Sequence, residues 1–289
     1  MGDSKKSGKL SEIFRALGVF ALAVIVAGCA SDSKNFSEVE TEVEKEQKQY
    51  MILMGGQSNM VGSGRVADLD TVTISDHIRY INRGMQVDFS QDSAKFGPEV
   101  GLSQVLHQHF PDSNFILVKY AIGGASLLDW APDYDSTQAV ITGNAHFGAM
   151  YDSLWKYVDQ ATATIDEPTE IAALLWMQGE RDARIPEAGV DYYPRFKTFV
   201  ERIRQDADRP NLPIIFGLAN PDPARYAAVD TVQVAQHRIA NEMDHVRMID
   251  TSDLEKWDDK VHYNSAGQLE LGRRYGQALV EHWKTSARK

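Results

Sequence analysis

Cysteine is almost missing from this 289-residue chain: Cys29 stands alone, so no intrachain disulfide can form and packing must hold the fold. Metal-binding spacing is missing as well. The eight histidines include no His-Glu-x-x-His run, and His107 and His109, two apart on a predicted helix, point to different faces. No catalytic metal is expected. No glycine-rich loop ends in Lys-Ser or Lys-Thr, which argues against a phosphate cradle and a nucleotide site. Positive charge is in deficit, with 30 Lys and Arg against 41 Asp and Glu and a net charge of −11. Such a surface lacks the basic stripe that sequence-independent nucleic-acid binding needs, so no nucleic-acid partner is expected. The apolar stretch Leu17 to Ala27 is too short for a comfortable membrane span.

What is present begins with that stretch. Lys5, Lys6, Lys9 and Arg15 precede it and Val26-Ala27-Gly28-Cys29 closes it, a pattern that resembles a bacterial lipobox. Residues 1–28 are therefore expected to be a lipoprotein signal peptide, with Cys29 lipidated as the mature N-terminus. The chain would then be held to a membrane surface at the bacterial cell envelope, on the periplasmic side or outer membrane. Residues 29–49, rich in Ser, Glu, Lys and Gln, cannot repay their ordering entropy and read as an acidic flexible tether.

From Tyr50 to the C-terminus, short apolar runs alternate with longer amphipathic segments. Tyr50–Met54, Phe115–Tyr120, Ile171–Met177, Pro213–Leu218 and Val246–Ile249 have strand length. Glu99–His109, Ala145–Ala163, Tyr192–Gln205, Ala227–Met243 and Gly267–Trp283 have helical length and spacing. Strand alternating with helix predicts an α/β fold, a three-layer α/β/α sandwich around a central, mostly parallel sheet. With 43% hydrophobic residues, no internal repeat and no linker composition, residues 50–289 are expected to form one catalytic domain.

In such sheets ligands bind beyond the carboxyl ends of the strands, and there the polar groups gather. Ser58 follows the first strand in Gly56-Gln57-Ser58-Asn59-Met60, and Ala121-Ile122-Gly123-Gly124-Ala125-Ser126 follows the second. Gln178-Gly179-Glu180-Arg181-Asp182 follows the third, and Asp258-Asp259-Lys260-Val261-His262 comes after the last. A serine hydroxyl becomes a nucleophile only when a base takes its proton, and the base needs a third group to fix its tautomer. Ser58, His262 and Asp259 fit these roles. Asp258 is offset by one residue, and Glu180 is a competing acid or orienting group from another loop. The developing oxyanion needs N–H donors, for which the Ser58 amide, Gly124 or Gly123, and the Gln178 side chain are candidates. Alone, Ser58 reads equally well as a helix cap, and it is the co-occurrence of its partners that favours catalysis.

These motifs, taken in order with Gly97-Pro98-Glu99, resemble the SGNH hydrolase superfamily. Within it the chain is similar to the sialic-acid-specific acetylesterase-like and family 6 carbohydrate esterases, over about residues 50 to 285. The resemblance implies a flavodoxin-like SGNH fold and Ser58, His262 and Asp259 as triad, with Ser58, Gly124 and Gln178 as the oxyanion hole. It implies hydrolysis of acetyl esters on a carbohydrate without a cofactor. The expected activity is removal of acetyl groups from an acetylxylan-like saccharide. A sialate O-acetylesterase or other small-ester hydrolase is the alternative, and a noncatalytic carbohydrate-binding lipoprotein is the alternative from another class. Gln57, Asn59, Trp130 and Trp257 are expected to meet the sugar. Tyr134, His146 and Phe147 lie near these loops and read equally well as core residues.

Overall fold

The structure, a computed structural model, describes residues 48–70, 74–87 and 94–286. The expected signal peptide, Cys29 and nearly all of the expected tether lie outside the described residues.

The first strand shows why a parallel sheet forms. Met51, Ile52, Leu53 and Met54 are all buried, Met51 and Leu53 in one core layer and Ile52 and Met54 in the other. Side chains alternate across a strand, so a continuous apolar run must be covered on both faces. In chain order, β1 (Gln49–Gly56) leads into α1 (Ser58–Val61). Then come β2 (Gly64–Arg65), β3 (Ile78–Asn82), β4 (Met85–Gln86), β5 (Lys95–Phe96), α2 (Glu99–His109) and β6 (Asn114–Ala121). They are followed by α3 (Ser136–Ala139), α4 (Met150–Thr162), β7 (Thr169–Met177), α5 (Glu180–Arg184), α6 (Pro186–Val190) and α7 (Tyr192–Asp206). The chain closes with β8 (Ile214–Gly217), α8 (Val229–Glu242), β9 (Val246–Ile249) and α9 (Ser265–Ser286).

Seven strands form one sheet in the order β4-β3-β6-β1-β7-β8-β9. Only β4, against β3, is antiparallel; all other pairs in the sheet are parallel. Parallel pairing requires crossovers, and the helices supply them on both faces. The α4, α7 and α8 helices bury Leu154, Phe196, Phe199 and Val232 on one face, and α2 and α9 bury Leu102, Leu106, Leu271 and Tyr275 on the other. The result is the expected mixed α/β fold of three layers.

β1 lies between β6 and β7, with β3, β4 and β6 on one side and β7, β8 and β9, which follow them in the chain, on the other. Chain direction across the sheet therefore reverses at β1, which opens a crevice at its carboxyl end. The structure departs from the sequence reading at two places. The expected helix Ala145–Ala163 is broken: a tight turn at Ala145–Phe147 ends on Gly148, with φ +70°, and the helix starts at Met150. β3 and the short strands β2, β4 and β5 carry no apolar run long enough to announce them.

Candidate active site

Gly56 ends β1 with φ +144°, and a Cβ there would lie 2.0 Å from the Met177 carbonyl oxygen, so no other residue fits. Gln57 N–H donates to that carbonyl at 2.9 Å, and the chain then turns so that Ser58 begins α1 in the crevice. The histidine arrives from far along the chain. In the 257–262 turn, Lys260 takes φ +56°, and its N–H donates to the Trp257 carbonyl at 2.9 Å. Asp259 Oδ1 accepts the N–H groups of Val261 and His262, both at 2.9 Å. Its Oδ2 lies 2.6 Å from His262 Nδ1. With the Nδ1 proton held on Asp259, Nε2 is left to accept from Ser58 Oγ at 2.9 Å. Partial burial works against the Asp259 carboxylate. The two backbone amides and the ring outweigh it and hold the carboxyl below its usual range, so it stays anionic at neutral pH.

The structure therefore brings Ser58, His262 and Asp259 into one hydrogen-bonded line. Glu180 makes no bond to His262. It is buried, its Oε1 accepts from Asn59 Nδ2 at 2.7 Å, and Oε2 has no partner among the described residues. Burial pushes its carboxyl above the ordinary value, while the Asn59 bond pulls the other way.

Gly123 and Gly124 line the same hollow as Ser58. A Cβ on Gly123 would sit 3.6 Å from Ser58 Cβ, and Gly124, at φ +79°, is held by Asn144 Nδ2 donating to its carbonyl at 2.5 Å. Among the described residues no acceptor takes the N–H of Ser58 or Gly124.

Three expected assignments need correction, each because the side chain is already committed in the core. Gln178 is fully buried, and its Nε2 donates to the Ala125 carbonyl at 3.2 Å and to Asp182. It braces the glycine turn from beneath and is not among the residues that line the hollow beside Ser58. Trp130 is wholly buried among Tyr120, Trp176 and Phe199, with its Nε1 donating to the Gly56 carbonyl at 3.2 Å. Asn59 is buried too: Nδ2 donates to Glu180 and to the Val261 carbonyl at 3.0 Å, and Oδ1 accepts from Tyr263 N–H at 3.1 Å. It ties α1 to the turn that carries His262 and is not among the residues that line the hollow beside Ser58. Trp257 lies outside the hollow beside Ser58, its Nε1 donating to the Ser63 carbonyl and the Arg65 guanidinium 4.3 Å from its ring. Gln57 does line the hollow, with Oε1 accepting from Arg181 N–H at 3.3 Å.

The hollow beside Ser58 holds about 280 Å³ and adds Arg181, Arg184, Tyr226 and Val261 to the residues named above. Arg181 points its guanidinium at the Thr142 carbonyl, whereas Arg184 meets only the Tyr226 ring, 6.0 Å away, with no carboxylate partner among the described residues. Arg181 and Val261 fall within motifs that the sequence singles out, whereas Arg184 and Tyr226 do not. The available signal was local: Arg181 and Arg184 are three apart on the short helix that Gln178-Gly179-Glu180 introduces, so both can reach one rim. Beneath it Asp182 is fully buried, and burial pushes its carboxyl up to about 7 against the donors at Gln178 and Leu127.

Comparison with known proteins falls in the same place. The profile of the family "Carbohydrate esterase, sialic acid-specific acetylesterase" matches residues 47–281. An Arabidopsis thaliana protein named "Probable carbohydrate esterase" is 21% identical over 281 residues, covering 89% of this chain and 98% of that one. The crystal structure of that plant protein superposes with a TM-score of 0.63 at 19% identity, over 80% of this chain and 98% of that one. XAC1771, a carbohydrate acetylesterase from Xanthomonas citri, superposes with a TM-score of 0.61 at 16% identity, over 79% of this chain and 55% of that one. At these identities the superpositions show a shared fold.

Proposed function

The chain belongs to the family of carbohydrate esterases and sialic acid-specific acetylesterases, and from that membership we propose that it is a serine-dependent carbohydrate O-acetylesterase of the SGNH type. The observation that carries the reading is the unbroken line from Asp259 Oδ2 through His262 to Ser58 Oγ, at 2.6 and 2.9 Å. His262 Nε2 accepts the serine proton as Ser58 Oγ attacks the acetyl carbonyl. Asp259 keeps the imidazole in the tautomer this requires and stabilises the imidazolium that forms. The oxyanion is met by the Ser58 and Gly124 amides. His262 then protonates the departing sugar alcohol, and water, activated by the same ring, releases acetate from Ser58. Every proton passes through one imidazole.

The test is hydrolysis of p-nitrophenyl acetate and of acetylated xylooligosaccharides by wild type and Ser58→Ala. The variant is expected to lose at least about a thousandfold in kcat. Equal turnover by the two proteins, above background, would remove Ser58 from the mechanism. Wild-type inactivity on every acetyl ester would favour a carbohydrate-binding role instead.

One observation favours an acidic sugar over neutral xylan. Arg184 presents an unpaired guanidinium to the hollow, and guanidinium is suited to a carboxylate. On this second reading the substrate is O-acetyl sialic acid or a comparable acidic sugar. Arg184→Gln is then expected to raise KM roughly tenfold for that substrate and leave p-nitrophenyl acetate unaffected. An equal change on both esters would argue for neutral xylan. Placement at the cell envelope through lipidated Cys29 belongs to the same proposal and rests on the leader motif alone. Palmitate labelling that survives Cys29→Ser would overturn it.

A further inference from the structure

α1 cannot hold itself in place. It is four residues long, fixed by Met60 and Val61 N–H to the Gln57 carbonyl and Gly62 N–H to the Ser58 carbonyl. A helix this short is far below the length at which propagation repays nucleation, and its last carbonyls need outside partners. The Val61 carbonyl finds one in a residue the proposed chemistry does not use. Lys119 Nζ donates to it at 2.9 Å.

Lys119 is an unusual occupant of its site. It lies within β6, paired with Met54 of β1 and Asn82 of β3, at 2% exposure. Burial lowers the pKa of its ammonium group, and the neighbouring Glu99 opposes that shift. Glu99 Oε2 accepts from Nζ at 2.7 Å, and Oε1 accepts from Gly97 N–H at 2.8 Å. The Tyr80 ring lies 5.2 Å from Nζ. Stability alone gives no reason for such a pair, because apolar residues of similar volume in a buried ion pair's place are often as stable or more so. The structure offers a different reason. Glu99 begins α2 and holds the Gly97 turn, while the turn after Val61 packs so closely on that backbone that a Cβ on Gly62 would lie 2.4 Å from the Phe96 carbonyl oxygen. One ammonium group thereby links the end of the nucleophile helix, the sheet and the start of α2.

We propose that Lys119, backed by Glu99, is the positioning residue of the nucleophile: its bond to the Val61 carbonyl fixes α1 and so the approach of Ser58 Oγ to His262. The proposal rests on the assignment of Ser58 as nucleophile. It implies that loss of the bond slows acylation of Ser58 and leaves substrate binding in the hollow intact, since Lys119 does not line it.

The test is Glu99→Gln/Lys119→Met. Gln at 99 still accepts from Gly97 N–H, Met fills the lysine volume, no buried charge is left alone, and the tie to Val61 is lost together with the Lys119–Glu99 pair, whose own share the single Glu99→Gln variant reads. Expected are a kcat lower by about ten- to a hundredfold with KM within twofold, the scale on which small misplacement of a reacting group acts. The second-order rate of Ser58 inactivation by an alkyl fluorophosphonate should fall by the same factor. That rate is a property of the folded molecules only, so partial unfolding does not alter it. Single Glu99→Gln, which keeps an amine beside Val61, should lose clearly less. If the double variant does not fold, Glu99→Gln/Lys119→Leu is read the same way. Wild-type kcat and inactivation rate in a folded double variant would overturn the proposal, as would equal loss in the single and double variants. Ser58→Ala separates the two readings: if it retains turnover, the nucleophile assignment itself has failed.

Discussion

Replacing Asp259 by Asn perturbs the proposed relay with the least change in shape. The amide oxygen can still accept the Val261 and His262 N–H groups, so the turn survives. Its NH2 then takes the place of Oδ2, 2.6 Å from His262 Nδ1, and a donor faces a donor. The ring relieves this by carrying its proton on Nε2, where no lone pair remains to take the Ser58 proton. In a buried triad the same exchange costs about 10⁴ in kcat. Here Asp259 and His262 side chains are 42% and 37% exposed, and water can rescue part of the lost tautomer. The expectation is a fall of about 10²–10³, or ~3–4 kcal/mol of transition-state stabilisation. The assay is kcat and KM on p-nitrophenyl acetate and acetylated xylooligosaccharides, with thermal melting alongside; KM and Tm should barely move. Turnover within threefold of wild type would refute the reasoning, the more so if Glu180→Gln lost a hundredfold, since the acid would then be Glu180.

Asn59→Ala removes three hydrogen bonds and leaves Glu180 buried without its donor, so unfolding in urea should show a loss of about 2–4 kcal/mol, with kcat falling more than KM. A variant as stable as wild type would contradict the role given to this bridge. Asp182 gives stability a pH dependence whose sign follows from its raised carboxyl. The unfolded chain releases this proton near the ordinary 3.8 and the folded chain near about 7. Stability from this group is therefore full below the lower value and declines as pH rises to the upper one. Asp182→Asn should flatten that decline in Tm, and an unchanged slope would show that Asp182 does not titrate there. Gly56→Ala should yield no folded protein, because its Cβ would collide with the Met177 carbonyl; soluble, active variant would contradict the turn geometry.

The sheet and the grouping of Ser58, His262 and Asp259 were legible for a simple reason. Apolar runs of four to seven residues mark the main strands, and the polar or glycine-bearing segments after three of them carry Ser58, Gly124 and Glu180, while His262 lies in the loop beyond the last strand. Orientation was not legible. Gln178 and Asn59 sit next to Met177 and Ser58 in sequence, yet both turn inward, because the glycine turn and the His262 loop need donors from below more than the hollow needs them from the side. Trp130 was misplaced for a related reason: a ring large enough to stack on a sugar is also large enough to fill the core, and only the Gly56 carbonyl, available to its N–H, decided between them. Arg184 went unnoticed because a lone arginine on a charged helix looks like solvated surface.

Ser58 and His262 are 204 residues apart in the chain, and Asn59 spans the same gap to reach Val261 and Tyr263. Closing so long a loop is entropically costly until the intervening strands have paired. Esterase activity therefore cannot return early in refolding. It should lag the recovery of helical circular dichroism, which α2, α4 and α7 can supply by local contacts, and appear only with the docking of the 257–262 turn onto α1. On the proposed mechanism, turnover is in this sense a clock for completion of the fold.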